Sequence, residues 1–334
     1  MKKLLQQLTE TFGPSGFEGN VRELVQAEVA SLADEIRVDA LGNLIVRKLP
    51  TSQTKDTRKI MVAAHMDEIG IIVSHVDENG FVRFASIGGV FGKYILGSRV
   101  RFLNGAQGVI GYDRFEKVNE MPPMDKIYID VGATSKKDCP VRVGDVAAFD
   151  RPFIEMGNRL VAKSMDDRVG VLVAIETLRA LKSTLHDIYF VFTTQEEVGV
   201  RGAATSAYGI DPDIGIAVDV TPSADTPNAM KMEMALGKGP CVKIRDVSLI
   251  ADPRIVQWMI RAAEKNKIPY QREVLLLGGT DARAIQSTRA GVPVGCLSIP
   301  TRYVHSPSEM VDFSDVQNSV RLLTAVLNTK IDLE

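Results

Sequence analysis

The feature that most constrains the fold of this sequence is a helix-and-strand pattern that stops near residue 69 and returns near residue 161. Before the break, apolar residues at helical spacing predict a helix over residues 21–32, and a short strand is predicted at 43–47. Residues 59–64 (KIMVAA) form a nearly continuous apolar run, which is typical of a strand buried on both faces. A chain that begins in this way is expected to build a sheet that is covered by helices.

Residues 69–160 have a different texture. Short runs of alternating apolar and polar residues are separated by glycines, and no helical periodicity is evident. Examples are residues 80–84 (GFVRF), 99–102 (RVRF) and 126–130 (KIYID). Several short strands with glycine at the turns predict an all-β module, either a small barrel or a sandwich.

From residue 161 the alternation of strands and helices resumes. The predicted elements are helices at 169–181, 254–267 and 313–329 and strands at 188–194, 214–220 and 294–299. A chain of 334 residues is long enough for two domains. We therefore expect an α/β domain with a mixed sheet, made of residues 1–68 and 161–334, interrupted by an all-β insert of residues 69–160.

The charge balance argues against two classes of partner. The 40 basic and 42 acidic residues leave a formal net charge of −2, so no basic excess is present to neutralise phosphates. Nucleic acid and membranes are therefore not expected as partners, and no run of 18 apolar residues predicts a membrane span. The three cysteines are widely spaced, which predicts no disulfide framework and favours the reducing cytoplasm.

Five polar residues stand where predicted strands end or where a helix begins. His65 directly follows the buried run, and His305 follows the last predicted strand. Asp166 precedes a helix, Glu197 follows another apolar strand, and Asp219 interrupts the end of a third. Each acid alone could cap a helix or pair with an arginine, but the carboxyl ends of strands gather ligands at one edge of a sheet. A buried carboxylate without a partner is costly, so we expect one shared site.

This set of residues predicts two divalent cations. Two imidazoles and three carboxylates offer nitrogen and oxygen but no sulfur, which suits zinc, cobalt or manganese. Two cations about 3.5–4 Å apart need a bridging anion, and a short aspartate on a tight turn, Asp166, suits that role. Of the doublet Glu196 and Glu197, one is expected to bind a cation and the other to act as general base. Asp67 could orient the imidazole of His65, or cap its own loop.

Six stretches of the sequence, in this order and with this spacing, resemble the tetrahedral aminopeptidases, a family of dodecameric metallopeptidases that includes glutamyl and leucyl aminopeptidases. The matching stretches are residues 64–70 (AHMDEIG), 164–170 (SMDDRVG), 195–199 (QEEVG), 218–221 (VDVT), 278–281 (GGTD) and 302–306 (RYVHS). They run along nearly the whole chain. Any single stretch is a weak signal, whereas the ordered set is specific.

The resemblance implies a role for each residue that could bind metal. His65 and Asp219 would hold one cation, and Glu197 and His305 would hold the other. Asp166 would bridge the two. None of these positions departs from the pattern of the family.

The resemblance also implies roles for the residues around the cations. Glu196 would be the general base, and Asp67 would orient His65. Asp167 would follow Asp166 through a strained peptide bond. The loop near the substrate would consist of Gly278, Gly279, Thr280 and Asp281.

The family further implies a zinc-exopeptidase-like catalytic domain and a function for the insert. Its β insert would serve for dimerisation, and dimers would assemble into a hollow shell of twelve chains. Peptides are then the expected substrates, and further copies of this chain are the expected partners. Because the pores of such a shell admit only unfolded peptides, folded cytoplasmic proteins would be protected.

Three other functions are compatible with parts of the sequence. A glycoside hydrolase needs two carboxylates and usually aromatic platforms, but aromatic residues make up 6% and the single tryptophan, Trp258, lies within a predicted amphipathic helix. A carboxypeptidase or N-acyl deacylase would use the same centre on another substrate. A non-enzymatic assembly protein would not need both a base and ligands. The remaining histidines, His75 and His186, are interpreted as surface or structural residues.

The preferred N-terminal residue is expected to be aliphatic and uncharged. A glutamyl-type pocket would need a cation to offset the desolvated carboxylate of the substrate. Residues 220–230 and 275–280, which flank ligands or the glycine loop, contain no basic residue. The cations that could turn inward and reverse this expectation are Lys231, Lys238, Arg283 and Arg302.

Overall fold

The structure, a computed structural model, describes residues 1–114 and 120–331 of the chain. Its first five elements lead into the centre of a sheet. They are α1 (Lys2–Glu10), α2 (Gly19–Val29), β1 (Glu35–Val38), β2 (Leu44–Lys48) and β3 (Lys59–His65). The apolar run at 59–64 is therefore a strand, as its pattern predicts.

The next strands close into a small antiparallel barrel. The elements are β4 (Gly70–Val76), β5 (Val82–Ile87), the short helix α3 (Gly92–Ile95), β6 (Arg99–Phe102), β7 (Gln107–Tyr112), β8 (Ile127–Asp130) and β9 (Val146–Phe149). Around the barrel the strands follow the order β4, β5, β8, β7, β6, β9. The barrel has its own apolar core, in which Val82, Val100 and Ile129 are fully buried. Of the two β architectures left open by the sequence, the chain adopts the barrel.

The remaining elements belong to the larger sheet and its helices. They are β10 (Ile154–Met156), β11 (Arg159–Ala162), α4 (Met165–Ala180), β12 (Asp187–Thr193), α5 (Arg201–Ile210), β13 (Ile214–Pro222), β14 (Cys241–Arg245), α6 (Pro253–Lys265), β15 (Gln271–Val274), α7 (Asp281–Gln286), β16 (Val294–Arg302), β17 (Glu309–Asp312) and α8 (Phe313–Leu327). The predicted mixed α/β domain with an all-β insert is confirmed.

In the described part of the chain the larger sheet has 11 strands, and parallel strands form its centre. Its path runs β1, β2, β12, β3, β13, β16, β17, β11, β10; β14 pairs with β16, and β15 pairs with β14. β12, β3, β13 and β16 are parallel neighbours. The strands toward both ends of the path pair antiparallel.

Helices cover both faces of this sheet, which explains the continuous apolar run of β3. Ile60 and Val62 pack in the core shared with α4, α6 and α8. Met61 and Ala63, which point to the opposite face, pack with α5 and α7. Both alternating sets of β3 residues are therefore buried.

The barrel is shorter than the insert of residues 69–160 expected from the sequence. Its last strand ends at Phe149, whereas β10 and β11 pair with each other and with β17 in the larger sheet. A short antiparallel strand has the same local pattern in either sheet, so the sequence does not indicate which one it joins. The boundary between the strands of the barrel and those of the larger sheet therefore lies nearer residue 150 than residue 160. Residues 115–119 of the predicted insert and residues 332–334 of the catalytic domain lie outside the described residues.

Two further expectations can be compared with the described residues. No helix among them is long and apolar enough to cross a membrane. Cys139, Cys241 and Cys296 are free thiols, in agreement with the prediction that no disulfide framework forms.

Candidate metal centre

Five of the predicted site residues meet at the carboxyl edge of the parallel strands. His65 is the last residue of β3, and Asp219 lies near the end of β13. Asp166 opens α4, Glu197 follows β12, and His305 follows β16. Because neighbouring parallel strands end at the same edge, the sheet brings these distant parts of the chain together.

Asp166 lies between the two imidazoles. Its Oδ1 is 3.0 Å from Nε2 of His65, and its Oδ2 is 3.4 Å from Nε2 of His305. Each carboxylate oxygen therefore faces a different histidine, an arrangement in which one side chain can bridge two cations. The peptide bond between Asp166 and Asp167 is cis.

One further carboxylate lies beside each histidine. Oε2 of Glu197 is 3.4 Å from Nε2 of His305, and Oδ1 of Asp219 is 3.9 Å from Nε2 of His65. Two ligand atoms that are each about 2.0–2.2 Å from one zinc ion lie roughly 3.3–3.6 Å apart at a tetrahedral angle. The observed separations bracket this range, and all the donors are nitrogen or oxygen. The residues therefore fit a divalent cation in each half of the cluster.

Asp167 lies as close to the cluster as the predicted ligands do. It groups with His65 and Asp219, each offering one atom within 4.8 Å of the others. Its two oxygens, however, accept hydrogen bonds from the backbone amides of His65 at 3.3 Å and Gly170 at 3.1 Å. Asp166 is the better candidate for a bridge because it faces both imidazoles, whereas Asp167 holds the backbone of His65, a candidate ligand.

A hydrogen bond on the far side of the His65 ring leaves Nε2 available for a cation. Nδ1 of His65 lies 3.1 Å from the backbone carbonyl oxygen of Asp67. A carbonyl oxygen can only accept, so Nδ1 carries the proton. In a neutral ring Nε2 then presents a lone pair toward Asp166 and Asp219, as in metal-binding histidines generally.

The cluster contains more negative charge than the protein balances. Burial raises the pKa of Glu197 to about 7 and the pKa of Asp219 well above its usual range. Burial favours a low pKa for His305, but the carboxylates of Asp166 and Glu197 outweigh it and raise that pKa to about 10. A divalent cation would stabilise the charged forms of the buried carboxylates and would take the place of the proton on His305.

The carboxylate of Asp67 holds backbone amides more closely than it holds His65. Its Oδ1 is 3.5 Å from Nδ1 of His65, and the shorter contact to that ring comes from the Asp67 carbonyl. Oδ1 accepts from the amide of Glu196 at 3.0 Å, and Oδ2 accepts from the amide of Glu197 at 3.1 Å. The hydroxyl of Ser15 also donates to Oδ2, at 2.6 Å. The predicted contact between this carboxylate and His65 is thus the weaker of its interactions.

Glu309, which the sequence did not single out, holds the backbone of two candidate ligands. Its Oε2 accepts from the amide of Asp166 at 2.9 Å, and its Oε1 accepts from the amide of His305 at 2.7 Å. The side chain is buried, and burial raises its pKa well above the usual range. The available sequence signal is an acid at the first residue of β17, four positions after His305.

The cluster opens into a cavity of about 870 Å³, and Glu196 lines it. Of the four residues of the predicted substrate loop, Gly278, Gly279 and Thr280 border the cavity. Asp281 lies behind them, 2% exposed, and its Oδ2 accepts a hydrogen bond from Oγ1 of Thr193 at 2.5 Å. The structure therefore places three of the four loop residues where a substrate could touch them.

The barrel contributes one wall of the cavity. Phe91 and Tyr94 line it, and the ring of Phe91 stacks on the imidazole of His305 with centroids 6.3 Å apart. Gly88 packs so closely that a β carbon there would lie 2.9 Å from Oε2 of Glu197. The sequence predicted an assembly role for this insert and gave no indication of a contact with the candidate ligands.

A buried lysine that the sequence did not single out lies in the opposite wall. Lys243 borders the cavity and is 1% exposed. Its Nζ lies 2.9 Å from Oε1 of Glu273 and 3.4 Å from Oδ2 of Asp246. Two carboxylates therefore already compensate this ammonium group.

The four basic residues that could have turned toward a substrate carboxylate lie in different places. Arg302 borders the cavity, but its Nε and Nη2 donate to the carboxylate of Asp225 at 2.9 Å and 2.8 Å. Arg283 borders the cavity with an exposed side chain. Lys231 and Lys238 are exposed residues away from the cavity wall.

The residues interpreted as structural lie outside the cavity. His75 is exposed on β4. Nε2 of the buried His186 lies 2.9 Å from the carbonyl oxygen of Thr329. Trp258 is 2% exposed, and its indole N–H donates to Oγ1 of Thr329 at 2.9 Å. Trp258 is thus a core residue and offers no platform for a sugar.

Comparison with known proteins gives a consistent result. Residues 42–322 match the M42 glutamyl aminopeptidase family. A protein of Acetivibrio thermocellus is 44% identical over 331 residues, with 98% of each chain covered. The structure of an aminopeptidase from the archaeon Desulfurococcus kamchatkensis superposes with a TM-score of 0.93 at 42% identity, covering 98% of this chain and 94% of that one.

A second solved structure concerns assembly. The TET1 peptidase of Pyrococcus horikoshii, which can assemble into a tetrahedron or a large octahedral shell, superposes with a TM-score of 0.88. It is 32% identical to this chain, and the superposition covers 98% of each chain.

Proposed function

This chain belongs to the M42 glutamyl aminopeptidase family, and we propose that it removes N-terminal residues from peptides with two divalent cations bound at the edge of its larger sheet. The family makes the protein a metal-dependent aminopeptidase, a hydrolase of peptide bonds. The observation that carries the proposal of two cations is the position of Asp166, whose two oxygens face two different histidines.

The proposed ligand sets follow the two halves of the cluster. His65 and Asp219 hold one cation, Glu197 and His305 hold the other, and Asp166 is shared. When bound, the cations would polarise the scissile carbonyl and lower the pKa of an attacking water molecule. Zinc, cobalt and manganese all suit these donors.

Glu196 is the proposed general base. Its carboxylate lines the cavity and accepts no hydrogen bond from the described residues, while Asp67 holds its backbone amide. Burial raises the pKa of Glu196 well above its usual range, which marks it as a group that can take up a proton. It would accept a proton from the attacking water and deliver it to the leaving amine.

The cavity favours an uncharged aliphatic N-terminal residue. Its wall includes Val220, Val247, Leu275 and Leu277, which are apolar. A glutamyl side chain would need a cation that is free to pair with it, but Lys243 and Arg302 are already paired, and Lys93 and Arg283 at the cavity wall are exposed to solvent.

Self-association through the barrel is the proposed route to a dodecamer. The large apolar side chains that are exposed to solvent on the barrel include Leu103, Val109, Tyr112 and Val143. Exposed apolar groups of this kind are typical of interaction surfaces. The shells of the Pyrococcus horikoshii peptidase support a similar closed assembly here, and the free cysteines support a cytoplasmic location.

Metal removal and replacement test the proposal. Treatment with a chelator should abolish release of the chromophore from aminoacyl p-nitroanilides, and zinc, cobalt or manganese should restore it. Elemental analysis should find two cations per active chain and fewer in Asp166→Asn. His75→Gln is the matched control. It replaces an exposed histidine of the barrel, so this variant should keep both cations. Full activity in a preparation without any transition metal would contradict the proposal.

A further inference from the structure

The segment between α1 and α2 brings a buried acid to the back of the candidate active site. Glu18 stands at the N-terminal end of α2 but does not cap its own helix with its side chain. Only 4% of the residue is exposed. Its Oε1 accepts hydrogen bonds from the amide of Gly16 at 2.7 Å and from the amide of Gln195 at 3.0 Å.

Three consecutive backbone amides are therefore held by two buried carboxylates. Glu18 holds the amide of Gln195, and Asp67 holds the amides of Glu196 and Glu197. Gln195 has a left-handed backbone with φ of 55°, so the chain turns sharply just before the doublet. The turn has little secondary structure of its own, since β12 ends at Thr193 and α5 begins at Arg201.

We propose that Glu18 is a positioning residue that sets the direction of the Glu196 carboxylate by holding the amide of Gln195. This inference rests on the proposed role of Glu196 as general base. Asp67 holds the amides of Glu196 and Glu197 themselves, and Asn43 holds the amide of Thr194 at 2.9 Å, so Glu18 holds the amide that lies between these anchored positions. The contact at Gln195 fixes the left-handed residue directly before Glu196, and it does so without touching a proposed metal ligand.

Glu18 acts through a single oxygen, which makes three substitutions informative. Glu18→Gln keeps Oε1 as an acceptor for both amides, so it should restore most of the turnover. Glu18→Asp keeps the charge but shortens the side chain, so it should lose the contact. Glu18→Ala removes the acceptor altogether.

The expected result is a selective loss of kcat. Glu18→Ala and Glu18→Asp should lower kcat about 10- to 100-fold, with KM changed less than about threefold, because a shift of about 1 Å in a reacting group can cost that much. Elemental analysis should still find the wild-type metal content. Glu18→Gln should stay within about threefold of the wild-type kcat.

Asp315 provides the matched control for loss of a buried carboxylate. Its two oxygens accept from the amides of Gly237 at 2.6 Å and Gly239 at 2.7 Å, and neither glycine lies next to a proposed ligand. Asp315→Ala should lower the thermal midpoint, as Glu18→Ala does, while its kcat stays near that of the wild type.

Each outcome either supports or overturns the inference. If the wild type is active and Glu18→Asp and Glu18→Gln have equal kcat values, the inference is overturned, even if Glu18→Ala does not fold. A drop in kcat that Asp315→Ala shares to the same extent also overturns it, because the effect would then be one of general stability. A wild type that carries metal but hydrolyses no aminoacyl substrate contradicts the proposed function instead.

Discussion

Gly89 of the barrel segment lies directly against the imidazole of His305 in the larger domain. A β carbon at position 89 would overlap Nδ1 of His305 and would lie 2.6 Å from its Cε1. Glycine is therefore needed here for close approach and not for a left-handed conformation, because the φ of Gly89 is not positive. The barrel thus restricts the position of the His305 side chain, a candidate ligand.

Replacement of Gly89 by alanine should displace the His305 ring. Because the added methyl group would occupy the space of the ring, we expect weaker metal binding in the half of the centre that contains His305. The number of cations per chain should fall toward one, and kcat/KM should fall by about 10²-fold, as expected for a misplaced site group. Elemental analysis and steady-state kinetics measure the two effects.

The control for this substitution is Gly209→Ala. Gly209 lies within α5, and a β carbon there would meet no atom within 4 Å. Alanine is favoured over glycine in a helix by about 0.5–1 kcal/mol, so this variant should keep its metal and be as stable as the wild type or slightly more stable. Wild-type metal content in Gly89→Ala would show that the barrel does not constrain His305.

The two members of the glutamate doublet should respond differently to the same change. Glu196→Gln removes the proposed proton acceptor while it keeps the shape, so both cations should remain and turnover should fall by about 10²–10⁴-fold. Glu197→Gln removes a proposed ligand, so one cation should bind more weakly. Metal titrations on both variants, together with kcat measured at saturating metal, separate the two roles. The opposite pattern would exchange the assignments of Glu196 and Glu197.

The sequence located the candidate ligands because each of them is marked by a local pattern. His65, Asp219 and Glu197 follow or interrupt apolar strands, and the parallel strands of one sheet end at one edge. No knowledge of long-range packing is needed for that inference. The topology of an α/β sheet supplies the packing.

The carboxylates that hold the backbone around the candidate site could not be located in the same way. Glu18 and Gln195 are 177 residues apart, and Glu309 and Asp166 are 143 residues apart. An acid that accepts a backbone amide of a distant loop has no partner residue type in the sequence, because every residue except proline offers that amide. The contact exists only after the turn and the acid have been brought together by the fold.

The barrel can be tested as an assembly surface by point substitution. Val109 and Val143 are 49% and 64% exposed on the barrel, so Val109→Glu and Val143→Glu should place charges in an apolar contact and dissociate it. Light scattering should report a smaller particle in at least one variant. Deletion of the barrel is less informative, because Gly88 and Gly89 contact the candidate ligands Glu197 and His305.

Ile154→Glu is the control for the assembly test. Ile154 is 46% exposed, but it lies in β10 at the edge of the larger sheet. Its substitution should leave the particle mass unchanged if the barrel supplies the main contact. A particle that dissociates with Ile154→Glu and persists with both barrel variants would place the contact at the sheet edge.

The enzyme should prefer an aliphatic N-terminal residue. A leucyl substrate should be cleaved with a higher kcat/KM than a glutamyl substrate with the same leaving group. The physical reason is the state of the cations at the cavity. Lys243 is compensated by Glu273 and Asp246, and Arg302 is paired with Asp225, so neither is free to offset a desolvated glutamyl carboxylate. Arg283→Ala and Lys93→Ala test the exposed cations that border the cavity, and each should change the ratio of the two kcat/KM values less than about threefold. A clear glutamyl preference that is lost in Arg283→Ala would show that this arginine turns inward to the substrate and would overturn the aliphatic assignment.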